Sequence, residues 1–275
     1  MTSNAIARAG TPPRRAIAEI AGAVIVQSII SAVAFAVLHR NGIGYTDPRI
    51  LWWGIPHMVV TAVWVWFIQR RHFAGHRLWP SGFRERETPA RPLGPVVAWT
   101  QRILVIAVIA AMASVFIETG ARGIFHPMLV GALVLSLLIG FGEEGLYRKF
   151  ILDRAGESRR SKLAFLLASA LLFGFMHMTN VSSGMAPADA LNQSLLAIPV
   201  GLFAGIVYLE TRSLAALALW HANVDFQLFA THVGDATGEV LAAGAIIGFV
   251  VEAAAVILLL GCLVNMGRRA WPDRG

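Results

Sequence analysis

The sequence predicts an all-α protein, a polytopic bundle of about eight transmembrane helices with both termini in the cytoplasm. Three observations carry this expectation. Of the 275 residues, 56% are hydrophobic and only 14% are charged, whereas soluble domains carry about 25% charge. Apolar runs recur near the ~20 residues a helix needs to cross a hydrocarbon core of ~30 Å. The basic residues are also distributed as they are in membrane proteins, where cytoplasmic segments gather Lys and Arg. With the N-terminus inside, only Arg40, Arg49 and Arg122 of the 23 Lys and Arg fall in outer loops, and the other 20 fall in inner segments.

In chain order, residues 1–16 form a cytoplasmic tail containing Thr11-Pro12-Pro13. The first span, 17–38, follows Arg14 and Arg15. At about 22 residues it exceeds the 7–15 of a signal-peptide core and reads as an uncleaved helix. The second span is 51–68, with His57 after Pro56. The long stretch 69–101 is broken by prolines and carries the charge cluster Arg84-Glu85-Arg86-Glu87, so it reads as a cytoplasmic loop. Trp79 and Phe83 suit headgroup level there.

Spans 102–117, 127–154, 162–178, 195–208, 214–229 and 241–263 follow, and 266–275 is the second cytoplasmic tail. Residues 17–265 thus form one membrane domain, with no soluble second domain and no internal repeat. Gly201-x-x-x-Gly205 and Gly244-x-x-x-Gly248 are spacings that let helices pack closely.

The net charge of +7 reflects membrane orientation and contact with anionic lipid, because no basic patch is interleaved with stacking aromatics. Nucleic acid is therefore not an expected partner, and the bilayer is. The single cysteine, Cys262, permits no intrachain disulfide or cysteine-based zinc site and serves packing.

The stretch Gly140-Phe141-Gly142-Glu143-Glu144-Gly145-Leu146-Tyr147-Arg148 fits two patterns. As G-x-G-x-x-G it would bind a dinucleotide, but that fingerprint follows a strand, and here an apolar helix of membrane length leads into it. Adjacent carboxylates would also repel a pyrophosphate. As E-E-x-x-x-R it places two ionisable groups in a span, where they need partners or water. Arg148 follows Glu144 by four residues on the same helix face, in the favourable order, which leaves Glu143 about 100° around the helix. A bland alternative is that these charges mark the inner end of the span.

Two further spans carry polar pairs at helical spacing, Phe173-x-x-x-His177 and His221-x-x-x-Asp225. At 1.5 Å per residue, Glu143 lies roughly 16 Å from the inner end of its span, His177 roughly 22 Å, and His221 and Asp225 roughly 10 and 16 Å. Helix tilt covers these differences, so the four groups can converge. His57 and Glu252 have no motif partner and read as structural pairings. His126, Asn180, His232 and Asp235 read as solvated outer-loop residues.

The ordered set Glu143-Glu144-x-x-x-Arg148, Phe173-x-x-x-His177 and His221-x-x-x-Asp225 resembles the CPBP family of intramembrane proteases, which includes type II CAAX prenyl endopeptidases and the bacteriocin-processing, Abi-like proteins. The resemblance covers about residues 100–230. It implies an endopeptidase with catalytic residues Glu143, Glu144, Arg148, His177, His221 and Asp225 in a pocket open to the cytoplasm. Glu143 would serve as the base, His177 would orient the water and shuttle its proton, and His221 would stabilise the oxyanion. Glu144 and Arg148 would hold the helix in register.

The family pattern ends in Asn or Asp. Asp225 would therefore act protonated, orient His221, or bind metal. Glu143, His177, His221 and Asp225 are a candidate set for a divalent ion such as zinc. The chain has no H-E-x-x-H and no G-x-S-x-G, and Ser182-Ser183-Gly184 has no nucleophile partner in sequence. The partner expected is a peptide or membrane-protein substrate. The Ala- and Arg-rich composition with short loops suggests a bacterial plasma membrane. Two other classes fit the same polar set: a catalytically silent immunity or accessory protein, and a proton-coupled transporter.

Overall fold

The computed structural model describes residues 13–72, 94–155, 158–237 and 243–268. The tail before Pro13, the interfacial segment with Trp79 and Phe83, and the end of the C-terminal tail lie outside the described residues. What is described is all-α. Helix α1 is Pro13–Arg40, α2 Ile50–Trp53, α3 Ile55–His72, α4 Pro95–Ala121, α5 Met128–Glu144, α6 Arg159–Met176, α7 Pro187–Thr211, α8 Leu214–Thr237 and α9 Ala243–Arg268. A π-helical turn, Gly145–Phe150, continues α5, and a 3-10 turn, His177–Ser183, continues α6.

Each of the eight expected spans is helical, and several helices run past the apolar window used to find them. Helix α1 is described from Pro13 onward. The second span is divided at Gly54 into α2 and α3, beside Pro56, whose missing N–H cannot continue the helical hydrogen-bond ladder. Among the described residues six helices are long and apolar enough to cross a membrane, at 15–40, 50–70, 95–121, 128–150, 159–183 and 187–211. This makes the chain a multi-pass membrane protein. Helix α8 falls short because His221, Asn223, Asp225 and Gln227 interrupt its apolar sequence, and α9 contributes the shorter apolar stretch Val250–Met266.

Three pairings organise the bundle: α5 on α8, α4 on α9, and α6 on α7. The first is the closest, since a Cβ at Gly140 would collide with the Ala218 carbonyl and press on the Ala222 backbone. In the α6–α7 pair, Gly201 lies against Ala170 and Gly205 against Leu166, so this small-residue spacing serves packing within the chain. Aromatic contacts fill the remaining volume. Phe116 stacks on Phe226 with centroids 5.7 Å apart, and Phe203 tilts against Trp220 at 4.6 Å. Cys262 is fully buried in the core.

The contact at Gly140 yields a test. Gly140→Ala must push α5 off α8 and is expected to cost about 1–3 kcal/mol. Gly22→Ala, with nothing within 4 Å of the added Cβ, is expected to be neutral or stabilising by up to ~1 kcal/mol. Thermal unfolding of the two purified variants in detergent measures the difference.

Candidate active site

The site grows from the change of helical geometry at the end of α5. A π turn widens the ring of each backbone hydrogen bond and displaces its carbonyls, a rearrangement found mostly at functional positions. Side chains from other helices take up those carbonyls: Gln69 Nε2 donates to Gly145 O at 2.7 Å, and Ser169 Oγ donates to Tyr147 O at 2.7 Å. The turn is therefore fixed from α3 and α6.

Within it Arg148 is completely buried. Its Nε lies 2.9 Å from Glu144 Oε2, and its Nη2 donates to Glu144 Oε1 at 3.2 Å. The guanidinium also lies 4.5 Å from the centre of the Phe173 ring, a cation–π contact. The i, i+4 pairing read from the sequence is thus present, with both side chains buried.

Phe173 is the aromatic centre of the site. Besides Arg148 it meets Tyr147, His177 and His221 edge-on, with centroid separations of 5.4, 5.2 and 5.7 Å. This contact set gives the Phe173-x-x-x-His177 spacing a physical role, since one ring spaces both imidazoles. His177 Nδ1 lies 3.0 Å from the Phe173 carbonyl. A carbonyl only accepts, so Nδ1 carries the hydrogen and Nε2 is left as an acceptor.

His221 joins the two carboxylates of α5 to the one on α8. Its Nδ1 lies 2.9 Å from Glu144 Oε1, so it donates there, across 77 residues of sequence. Its Nε2 faces Asp225 Oδ2 at 3.6 Å and Glu143 Oε2 at 3.8 Å, beyond direct hydrogen-bond distance. Those two carboxylate oxygens are buried without a hydrogen-bond partner. The structure therefore brings Glu143, Glu144, Arg148, His221 and Asp225 into one cluster, and His177 joins it through Phe173 rather than by direct contact.

Donors about 2.1 Å from a tetrahedral zinc stand roughly 3.4 Å apart, somewhat closer than the gaps around His221 Nε2. Among the described residues no three His, Cys, Asp or Glu side chains are grouped to hold a metal ion. No step below runs through a metal.

Several polar residues differ from the sequence expectation. Asn180 is buried in the 3-10 turn and donates to Gln193 Oε1 at 2.8 Å, rather than lying solvated in a loop. His232 lies on α8, which continues to Thr237. Ser183 is buried and donates to the Asn180 carbonyl at 2.6 Å. His57 finds its structural partner in Phe35, edge-on at 5.0 Å. Glu252 lies exposed on α9 with no ion pair among the described residues. Gln69 and Ser169, which sequence reasoning missed, are long-range partners with no local signal.

Residues 126–227 match the family model described as Type II CAAX prenyl endopeptidase Rce1-like. That range is less than half the chain, and it contains all six residues of the expected site. No curated protein and no solved structure matches the chain. Residues 126–227, with their buried carboxylate, arginine and histidine cluster, therefore form a domain of the Rce1-like type II CAAX prenyl endopeptidase family, a family of membrane proteases.

Proposed function

We propose that this chain is an intramembrane endopeptidase that hydrolyses a peptide bond with water activated by Glu143 and His177. The observation that carries the reading is the arrangement around His221. Glu144 holds one ring nitrogen at 2.9 Å, and the other faces Glu143 and Asp225 at 3.8 and 3.6 Å. One imidazole is thereby fixed in orientation and presented to the two carboxylates that are not otherwise engaged.

Peptide hydrolysis needs a base for water, a donor for the developing oxyanion and a proton for the leaving amine. Glu143 accepts the proton of the attacking water. His177 Nε2, free to accept because Nδ1–H is committed to the Phe173 carbonyl, accepts a hydrogen bond from the water's other O–H, which stays on the attacking oxygen, and so aims its lone pair. His221 donates through Nε2 to the oxyanion, and its angle is set by Glu144, which Arg148 holds in turn. The proton taken by Glu143 then passes to the leaving nitrogen. Asp225 orients His221 from one helical turn away, a duty that an asparagine amide can share. The substrate is a peptide or membrane-protein segment, and the basic loops favour cytoplasmic termini.

Purified protein in liposomes, incubated with a broad peptide library and analysed by mass spectrometry, tests this reading. Glu143→Gln and His177→Ala are each expected to lower cleavage by about 10²- to 10⁴-fold while the protein stays folded. Absence of products from the folded wild-type chain would instead make it a silent binding partner. Solute uptake coupled to pH would make it a transporter. Chelator is expected to leave cleavage intact, and loss of activity restored by zinc would contradict the metal-free steps above. Asp225→Asn is expected to keep cleavage within about tenfold of wild type and Asp225→Leu to abolish it, since only the amide keeps a polar oxygen facing His221 Nε2.

A further inference from the structure

Access to the cluster is set by a gradient of exposure. Arg148 and Glu144 side chains are 0% and 1% accessible, His221 and Glu143 are 10% and 11%, and Asp225 is 20%. Along α5 and along α8, exposure therefore rises away from the end of the bundle where Asp153 meets Arg212 and Arg154 meets Glu19. Toward that end the site is backed by Tyr147, Phe150, Ile151 and Leu152, all fully buried. At the opposite end lie residues 41–49, joining α1 to α2, and the 3-10 turn that begins with His177.

Residues 41–49 are fastened to that turn. Tyr45 N–H donates to the Ser183 carbonyl at 3.1 Å. Gly44 packs on the same carbonyl, and Gly184, with φ of +89°, lies so close to the His39 ring that a Cβ would collide with it. The Tyr45 hydroxyl accepts from Gln193 Nε2 at 3.3 Å, and Gln193 in turn accepts from the buried Asn180 at 2.8 Å. Tyr45 is thus held from α7 and from the turn carrying His177. Its oxygen is engaged as an acceptor, and its O–H remains free to donate. Burial raises the phenol above its ordinary pKa, opposed by the Gln193 hydrogen bond and reinforced by the Asp225 and Glu143 carboxylates. The ring accordingly lies within electrostatic reach of the two carboxylates that face His221.

We propose that the peptide enters through the end of the bundle framed by residues 41–49 and 177–184, where the Tyr45 hydroxyl, held by Gln193 and Asn180, hydrogen-bonds the backbone of the bound peptide. This rests on the endopeptidase reading and assigns it a substrate-binding residue outside the family match. It also moves the opening away from the basic end, so with cytoplasmic termini the mouth faces the other side of the membrane.

Two measurements in a Cys262→Ser background test the proposal. Thr46→Cys places an exposed thiol beside Tyr45, and Arg160→Cys places one at the opposite end of the bundle. Coupling a bulky, membrane-impermeant maleimide is expected to lower peptide cleavage at least tenfold for Thr46→Cys and to leave Arg160→Cys within twofold. The reverse pattern overturns the proposal. Tyr45→Phe is expected to raise KM roughly three- to tenfold, the loss of one neutral hydrogen bond, with kcat little changed. An unchanged KM, or a fall in kcat alone, removes Tyr45 from the binding wall. If unlabelled Thr46→Cys and its parent both cleave nothing, it is the endopeptidase reading that has failed, and this proposal falls with it.

Discussion

The ion pair between Glu144 and Arg148 is the constraint on which the site depends. Both side chains are withdrawn from water, a cost of several kcal/mol per ion that only close mutual pairing and further hydrogen bonds repay. The repayment is distributed over the fold. Arg148 lies against the Phe173 ring, and Glu144 accepts from His221. The turn that carries Arg148 is tied to α3 by Gln69 and to α6 by Ser169. Any displacement of α3, α6 or α8 would leave a charge or a carbonyl unpaired, so the pair ties the relative positions of these helices to the orientation of one imidazole.

That coupling divides the labour between two adjacent carboxylates. Glu144 is spent on structure, because both of its oxygens face cations or donors. Glu143, next in the chain but turned around the helix, points its Oε2 at His221 Nε2 from 3.8 Å, beyond a direct hydrogen bond, and is available for proton transfer. Neighbouring residues of the same type thus take unlike roles because helical rotation points them into different surroundings.

Much of this was legible in the sequence because it rests on local spacing. The helices declare themselves by apolar length, and E-E-x-x-x-R, F-x-x-x-H and H-x-x-x-D place their pairs by the 3.6-residue period. What was not legible is what crosses the chain. Glu144 reads as a partner for Arg148 alone, since its contact with His221 spans 77 residues. The π turn has no sequence signature, and its partners at Gln69 and Ser169 are 76 and 22 residues from the carbonyls they satisfy. Asn180 looked solvated because a polar residue after a span reads as loop, yet Gln193 draws it into the interior. Helix α8 shows the converse. Its polar residues weaken it as a membrane span by composition, but His221 and Asp225 face the cluster, and Asn223 is buried and accepts from Gln227.

The most direct test of the organising pair is a double-mutant cycle on thermal unfolding in detergent, with Glu144→Gln, Arg148→Met and both together. Breaking one side of a buried pair typically costs about 3–5 kcal/mol, because the other charge is left uncompensated. Each single variant is therefore expected to lose about that much, and the double variant distinctly less than the sum of the two. Single losses below ~1 kcal/mol, or strict additivity, would contradict the account and show that the site is held by packing alone.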